Sequence, residues 1–240
     1  MVSPEVEVLI KTARSSMYTH PQHLLAPNIR QRIYNALGSR TSSVSNLARG
    51  WLAVLAARRV LPIFTRSFPD MPLPQKLLDT AVKVLNGEVD DKVVISLLNQ
   101  GYHVGGNCWG YDEEDMSIGI DLAGAATYHA LKEARGTEPL KNLHQYLSLG
   151  TVTTSQDSDL VVSEVTVAEN PISVRGDEWT DEQLCQIDAA DTAAVAAMAY
   201  ASHEHGDKYD PQKLEEFWEW WLTEAIPQAW ELATEHTDAS

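Results

Sequence analysis

Apolar residues recur through most of the chain at intervals of three or four positions, the spacing that places them on one face of an α-helix. The first stripe follows Pro4, which suits a first helical turn. It consists of Val6, Leu9, Ile10 and Ala13. A second short helix is predicted over residues 28–37, closed by the glycine that follows it. Serine and threonine at residues 41–43 can cap a longer third helix, in which Pro62 should produce a kink or an end near Phe64.

Capping residues and glycines divide the middle of the chain into further segments. Pro74 is placed to open a fourth helix, and the aspartates at residues 90–91 can cap a fifth. Residues 101–110 are rich in glycine and are predicted as a loop. The acidic run at residues 112–115 suits the first turn of a helix that ends at Gly136.

The pattern changes at residues 151–174, where valine and threonine are concentrated and favour extended structure. Residues 180–183 then have the spacing of a capping box, and an alanine-rich helix to about Tyr200 follows them. The sequence therefore predicts a short extended segment between two helical parts of the chain.

The last helix should begin with Asp210 as its N-cap and Pro211 as its first residue. Pro227 predicts a kink or a break further along. The core-facing stripe of this helix contains Trp218, Trp221 and Trp230. Trp220 falls off that stripe and is the candidate contact residue, because aromatic side chains are enriched at interface hot spots. It lies on an acidic rim formed by Glu216, Glu219 and Glu224.

Together these segments predict a mainly α protein, a single-domain irregular helical bundle over residues 1–240 with a small extended or β-hairpin excursion around residues 151–174. A hydrophobic content of 44% with 22% charged residues is typical of a folded globular protein. The sequence shows neither a transmembrane run nor a signal-peptide pattern. Cys108 and Cys185 are best interpreted as buried thiols in a reducing compartment, so the cytoplasm is the expected location.

The net charge of −16 is unevenly distributed along the chain. Residues 1–67 carry 9 Lys and Arg against 2 Asp and Glu, whereas residues 68–240 carry 9 against 32. Such an acidic surface repels phosphate, so nucleic acid is not an expected partner. Two interpretations remain open: the basic start packs against the acidic end of a soluble protein, or the acidic surface attracts a basic partner.

Asp188 and Asp191 are the most unusual acids, because they share one face at the start of an apolar helix. With His203 they give one alternative, a metal-dependent helical enzyme. The favoured interpretation is a structural polar network, in which Arg58 or Arg59 pairs with one of these aspartates. The sequence contains no nucleophile elbow, phosphate loop or zinc-ligand spacing, so we assign no catalytic, metal or cofactor-binding residues.

Three segments of the chain resemble a known family. The first is residues 53–64, AVLAARRVLPIF, followed by Pro69–Asp70 and Pro74. The others are the alanine-rich helix after Asp188 and residues 217–230, FWEWWLTEAIPQAW. All three are similar to segments of a bacterial family of all-helical immunity proteins, whose members accompany the toxins of polymorphic secretion systems. The resemblance implies a helical protein that binds a partner and carries no catalytic residues.

The leading hypothesis is a cytoplasmic immunity protein that binds and neutralises a cognate toxin domain. The acidic C-terminal part predicts that this toxin is basic, since complementary charge speeds encounter and selects the partner. The alternatives are the metal-dependent enzyme that uses Asp188, Asp191 and His203, and a helical protein-interaction scaffold. Neither a cofactor nor a membrane partner is expected.

Overall fold

The computed structural model describes residues 2–21, 23–39, 41–106, 118–136, 188–205 and 210–238. Within these ranges the chain is helical and contains no strand, which confirms the prediction of a mainly α protein. The predicted extended or β-hairpin excursion around residues 151–174 lies outside the described residues, as do residues 112–115 and 180–183. No helix of the described part is both long and apolar enough to cross a membrane.

The helices of residues 2–106 follow one another in the order predicted from the apolar stripes. They are α1 (Pro4–Thr19), α2 (Pro27–Ala36), α3 (Ser43–Ser67), α4 (Leu73–Leu85) and α5 (Asp91–Gly106). The later described residues form α6 (Ile118–Ala134), α7 (Ala189–His205), α8 (Pro211–Trp220) and α9 (Ile226–Asp238). A π-helical turn, Trp221–Ala225, joins α8 to α9, so residues 211–238 form one continuous C-terminal helix.

Several helices begin at the capping residues that the sequence indicates. Asp90 Oδ1 accepts a hydrogen bond from the backbone N–H of Lys92 at 2.8 Å, and Asp210 Oδ1 accepts one from Gln212 at 2.9 Å. Ser3, which is not among the caps predicted from the sequence, caps α1 in the same manner. Each side-chain oxygen satisfies a backbone donor that has no partner within the first helical turn.

In the described part of the chain, Pro62 and Pro227 lie beyond the first turn of a continuous helix, and both are exposed to solvent. Of the kink or end predicted at Pro62, the end is wrong, because α3 continues to Ser67. On the solvent side, water can hydrogen-bond the backbone carbonyl that proline leaves without a donor. Before Pro227, the predicted interruption takes the form of the π-helical turn, in which the Ile226 N–H donates to the Trp221 carbonyl.

The core is built around α3 and α6, which pack against each other. α3 also contacts α4, α7 and α9, and α6 contacts α4, α5 and α7. Gly50 permits the close approach of α3 to its neighbours. A Cβ atom there would lie 2.5 Å from Cδ2 of Leu85 and 3.2 Å from Cα of Ala134. A larger residue at this position would therefore separate the central helices.

Residues 101–106, which the sequence predicts as a loop, continue α5 instead. Gly101 is buried, and a Cβ atom there would lie 3.0 Å from the Tyr128 ring and 3.2 Å from Leu77. Glycine is therefore needed for close packing of α5 against α4 and α6. Glycine is favoured both in turns and where two helices pack closely, so the glycines of residues 101–106 are wrongly interpreted as a loop.

Candidate protein-binding surface

The C-terminal helix is fixed to the body of the protein by aromatic side chains. Trp218 is 2% exposed and Trp221 is 0% exposed, and their ring centroids lie 5.6 Å apart in an edge-to-face arrangement. Trp230, also predicted to face the core, is half-buried and packs against it. Burial of these rings determines which side of the helix faces solvent.

The outer side of this helix is acidic. Residues 210–238 carry eight Asp and Glu against one Lys. We refer to its exposed glutamates as the acidic ridge: Glu216, Glu224, Glu231 and Glu235. They are eight, seven and four positions apart, close to whole numbers of helical turns, so they lie on the same side of the helix.

Glu219, which the sequence predicts as part of the acidic rim, is engaged by α1. Its carboxylate lies 2.6 Å from Nη2 of Arg14 and accepts a hydrogen bond from Arg14 Nε at 2.9 Å. The Tyr18 hydroxyl donates to the same carboxylate at 3.1 Å. These hydrogen bonds join α1 to α8, so Glu219 is less available to a partner than Glu224. Glu216 is paired with Lys213 of the same helix at 2.8 Å, in a contact that is exposed to water.

Trp220 is half-buried and carries a cation on its ring. The guanidinium carbon of Arg59 lies 4.3 Å from the Trp220 ring centroid, and Phe217 packs edge-on against the same indole at 5.5 Å. Partial burial lowers the pKa of Arg59, while the carboxylates of Glu224 and Glu216 oppose that shift. The aromatic contact residue of the sequence prediction is thus a stacked arginine–tryptophan pair beside the acidic ridge.

A second polar cluster is buried beneath the C-terminal helix, around Arg30 of α2. Arg30 Nη2 lies 3.1 Å from Asp191 Oδ1, and Arg30 Nε lies 3.5 Å from Asp188 Oδ2. Nη1 donates to the Leu25 carbonyl at 2.8 Å. The guanidinium carbon is 5.3 Å from the Trp218 ring centroid. One side chain therefore holds together α2, the segment before it, the start of α7 and α8.

The surroundings of Arg30 determine the protonation of this cluster. Burial opposes the positive charge of Arg30, but the carboxylates of Asp191 and Asp188 raise its pKa above the ordinary value. Burial raises the pKa of Asp188, and Arg30 opposes that shift. Burial raises the pKa of Tyr34 well above its ordinary value, and the negative charge of Asp188 adds to that shift. The cluster is a charged arginine compensated by neighbouring carboxylates.

The predicted partners of the two aspartates require correction. Asp188 and Asp191 do face one cation, but that cation is Arg30, and Arg58 and Arg59 are exposed. A signal for Arg30 is present in the sequence. Arg30 falls three positions before the buried Ile33, and so lies on the apolar stripe of α2.

The geometry also bears on the metal-dependent alternative. Asp188 and Asp191 are directed at the guanidinium of Arg30, so a metal ion would have to displace a buried arginine. The side chain of His203 lies outside the described residues. Among the residues described, no three His, Cys, Asp or Glu side chains form a group that could hold a metal ion.

Three arginines from the basic start of the chain contact its acidic C-terminal part. Arg14 pairs with Glu219, Arg30 with the aspartates that begin α7, and Arg59 stacks on Trp220. Each of these contacts links a cation from the first 67 residues with the acidic C-terminal part. The interpretation that the basic start packs against the acidic end is therefore confirmed at these positions.

Residues 10–147 match the family described as immunity protein Imm5, which is more than half of the chain. The chain belongs to the Imm5 family. It is therefore an immunity protein, and membership implies that its partner is another protein. No curated protein matches the chain.

The Imm5 match includes the first of the three segments that suggested the family, at residues 53–74. It ends before the other two, the alanine-rich helix and the tryptophan-rich tail. Arg14, Arg30 and Arg59 lie inside the Imm5 match, whereas the acids and the indole that they contact across the fold lie beyond it: Glu219, Asp188, Asp191 and Trp220. The candidate binding surface is thus formed where the Imm5-matched helices meet the C-terminal helix.

Proposed function

We propose that this Imm5 protein protects its host by binding and neutralising a toxin, and that the toxin domain presents a basic surface to it. The observation that carries the proposal is the acidic ridge, on a chain that belongs to a family of immunity proteins. The proposed contact residues are Trp220, Glu216 and Glu224, with Glu219 in a supporting position.

Electrostatics supports a basic partner. The bases that pack against the C-terminal part, Arg14, Arg30 and Arg59, are already engaged with its acids or its aromatic ring. The ridge glutamates consequently dominate the outer side of the helix. A negative surface of this kind accelerates encounter with a positive one and disfavours nucleic acid and other acidic partners.

Neutralisation by binding needs no catalytic residue, metal ion or cofactor, and we assign none to the chain. The proposed location is the cytoplasm, where an immunity protein meets a toxin that has entered the cell or is made there. The hypothesis of a general helical scaffold makes a different prediction, because it does not require the partner to be a toxin.

The proposal predicts that a toxin domain is encoded beside this gene, and that domain is the partner to test. Co-expression should protect cells from that domain, and calorimetry should show binding that weakens as salt is added. Replacing Glu216 and Glu224 together by lysine should weaken binding by about tenfold or more, since two attractive charges become repulsive. In the matched control, lysine replaces Asp79 and Glu88, which are exposed acids on or near α4.

The control variant carries the same change in net charge away from the C-terminal helix. Equal weakening by both double variants would contradict the ridge as the contact surface, and binding that is insensitive to salt would contradict the electrostatic part. Failure of the native protein to bind or protect would contradict the immunity role toward that toxin.

A further inference from the structure

The stacked pair of Arg59 and Trp220 has the composition of a binding site for a cationic side chain. An indole face and nearby carboxylates are the groups that attract a guanidinium or ammonium ion. Here Trp220 supplies the face, and Glu216 and Glu224 supply the negative charge. The chain itself shows which chemistry fits, because the group found there is the guanidinium of Arg59, 4.3 Å from the ring centroid.

The contact that Arg59 makes in this position is with the ring of Trp220. Arg59 is an exposed residue on the outer side of α3, and no hydrogen bond or ion pair of its guanidinium occurs among the described residues. Lys213, the other cation nearby, pairs with Glu216 at 2.8 Å and acts electrostatically on Arg59. An arginine on a flexible stem can therefore leave the ring without breaking a buried contact.

The ridge and Arg59 act in opposite directions on a basic partner. Glu216 and Glu224 attract it, whereas Arg59 repels it and occupies the aromatic ring within electrostatic reach of both carboxylates. A partner that brings its own cation to this point must first displace Arg59. Such an internal competitor lowers affinity for every cation and favours a partner whose other contacts offset the cost.

We propose that Trp220, Glu216 and Glu224 form a binding site for an arginine side chain of the partner, and that Arg59 is an internal placeholder which this side chain displaces. The identification of that partner as a toxin rests on the proposed function. The existence of the site does not, because it can be measured with a simple cationic peptide.

The probe is a fluorescein-labelled tetra-arginine peptide, whose binding is followed by fluorescence anisotropy. Arg59→Gln should bind the peptide about three- to tenfold more tightly than the native protein does. This range corresponds to the free energy of the cation–π contact that the peptide no longer has to displace. Arg58→Gln is the matched control, because Arg58 is the adjacent exposed arginine and its loss changes net charge by the same amount. Thermal unfolding of both variants checks that the fold is retained.

The gain in peptide affinity of Arg59→Gln should disappear when Trp220→Ala or Glu224→Gln is added. Glu224→Gln changes an exposed side chain, so it tests the site without removing an aromatic ring that packs against the core. Equal tightening by Arg58→Gln would overturn the proposal, because bulk charge would then account for the effect. Weaker binding, or no measurable binding, by Arg59→Gln would overturn it as well. Toxin binding is a separate measurement, so either proposal can fail while the other stands.

Discussion

Arg30 Nη2 lies 3.1 Å from Asp191 Oδ1, with side chains that are 3% and 4% exposed. This pair joins α2, inside the Imm5-matched part of the chain, to the start of α7 beyond it. Removing two charges from water costs several kcal/mol for each, so the pair is tolerated only while both partners are present. The contact thus ties the C-terminal helices to the rest of the fold.

Arg30→Met should therefore be strongly destabilising, since it leaves the Asp191 carboxylate buried without its cation. We expect a loss of about 3–5 kcal/mol in the free energy of unfolding, measured by urea denaturation. Arg32→Met is the control, because Arg32 is an exposed arginine on the same helix. A loss for Arg30→Met no larger than that for Arg32→Met would mean that the pair does not stabilise the fold.

The error over Arg30 shows what the sequence could and could not predict. Asp188 and Asp191 face the same cation because they are three positions apart at the start of a helix and so lie on one face. The apolar character of α3 predicts Arg58 or Arg59 as that cation, yet both are exposed together with Pro62 and Arg66. Spacings of three, four and seven or eight positions place these four residues on one face, which helical periodicity alone indicates.

Helix boundaries with a local physical cause were predictable. Asp210 caps α8, and Asp90 caps the first turn of α5, because a short side-chain oxygen satisfies a backbone donor within the same turn. The contact between Arg59 and Trp220 was not predictable, since it joins residues 161 positions apart through the packing of two helices. Nothing local in the sequence specifies which arginine reaches that ring.

Glu219→Gln should show whether Glu219 stabilises the fold through its contact with Arg14. Loss of the ion pair with Arg14 should destabilise the protein by about 0.5–1 kcal/mol, because the pair is partly exposed to water. The loss should shrink in high salt. Glu231→Gln, which removes an exposed ridge acid, should have no comparable effect on urea denaturation. Equal losses for the two variants would contradict the specific role of Glu219.

His129 should make the stability of the protein depend on pH. Burial, aided by the charge of Lys132 and opposed by Asp191, lowers the pKa of His129 from 6.5 to about 4. Between these values the unfolded chain binds a proton that the folded protein does not, so stability falls as pH decreases through this window. Below it, both states are protonated and this contribution no longer changes.

His129→Gln removes this titration and should flatten the pH dependence of the free energy of unfolding between pH 6.5 and 4. Urea denaturation at several pH values measures the slope in the native and variant proteins. The remaining carboxylates, including Asp188, titrate in both proteins, so their contributions largely cancel in the comparison. Parallel slopes for the two proteins would show that folding does not lower the pKa of His129.

Trp220 and Trp221 are adjacent in sequence but should respond very differently to truncation. Trp221 is 0% exposed and packs against Trp218 and Tyr34, so Trp221→Ala leaves a large cavity and should cost about 3–5 kcal/mol. Trp220 is only half-buried, and its ring contacts Phe217 at a centroid distance of 5.5 Å and the guanidinium of Arg59 at 4.3 Å. Water can fill part of the space that Trp220→Ala leaves, so the loss in unfolding free energy should be clearly smaller.

The same two variants test the assignment of Trp220 to the binding surface. Trp220→Ala should weaken binding of the toxin domain while the protein remains folded, since half-buried tryptophans at a surface are typical of interface hot spots. Binding is best measured well below the unfolding temperature of each variant, with far-ultraviolet circular dichroism as the control for helix content. If Trp220→Ala unfolds the protein as severely as Trp221→Ala does, then Trp220 is a core residue and the binding surface proposed around it is wrong.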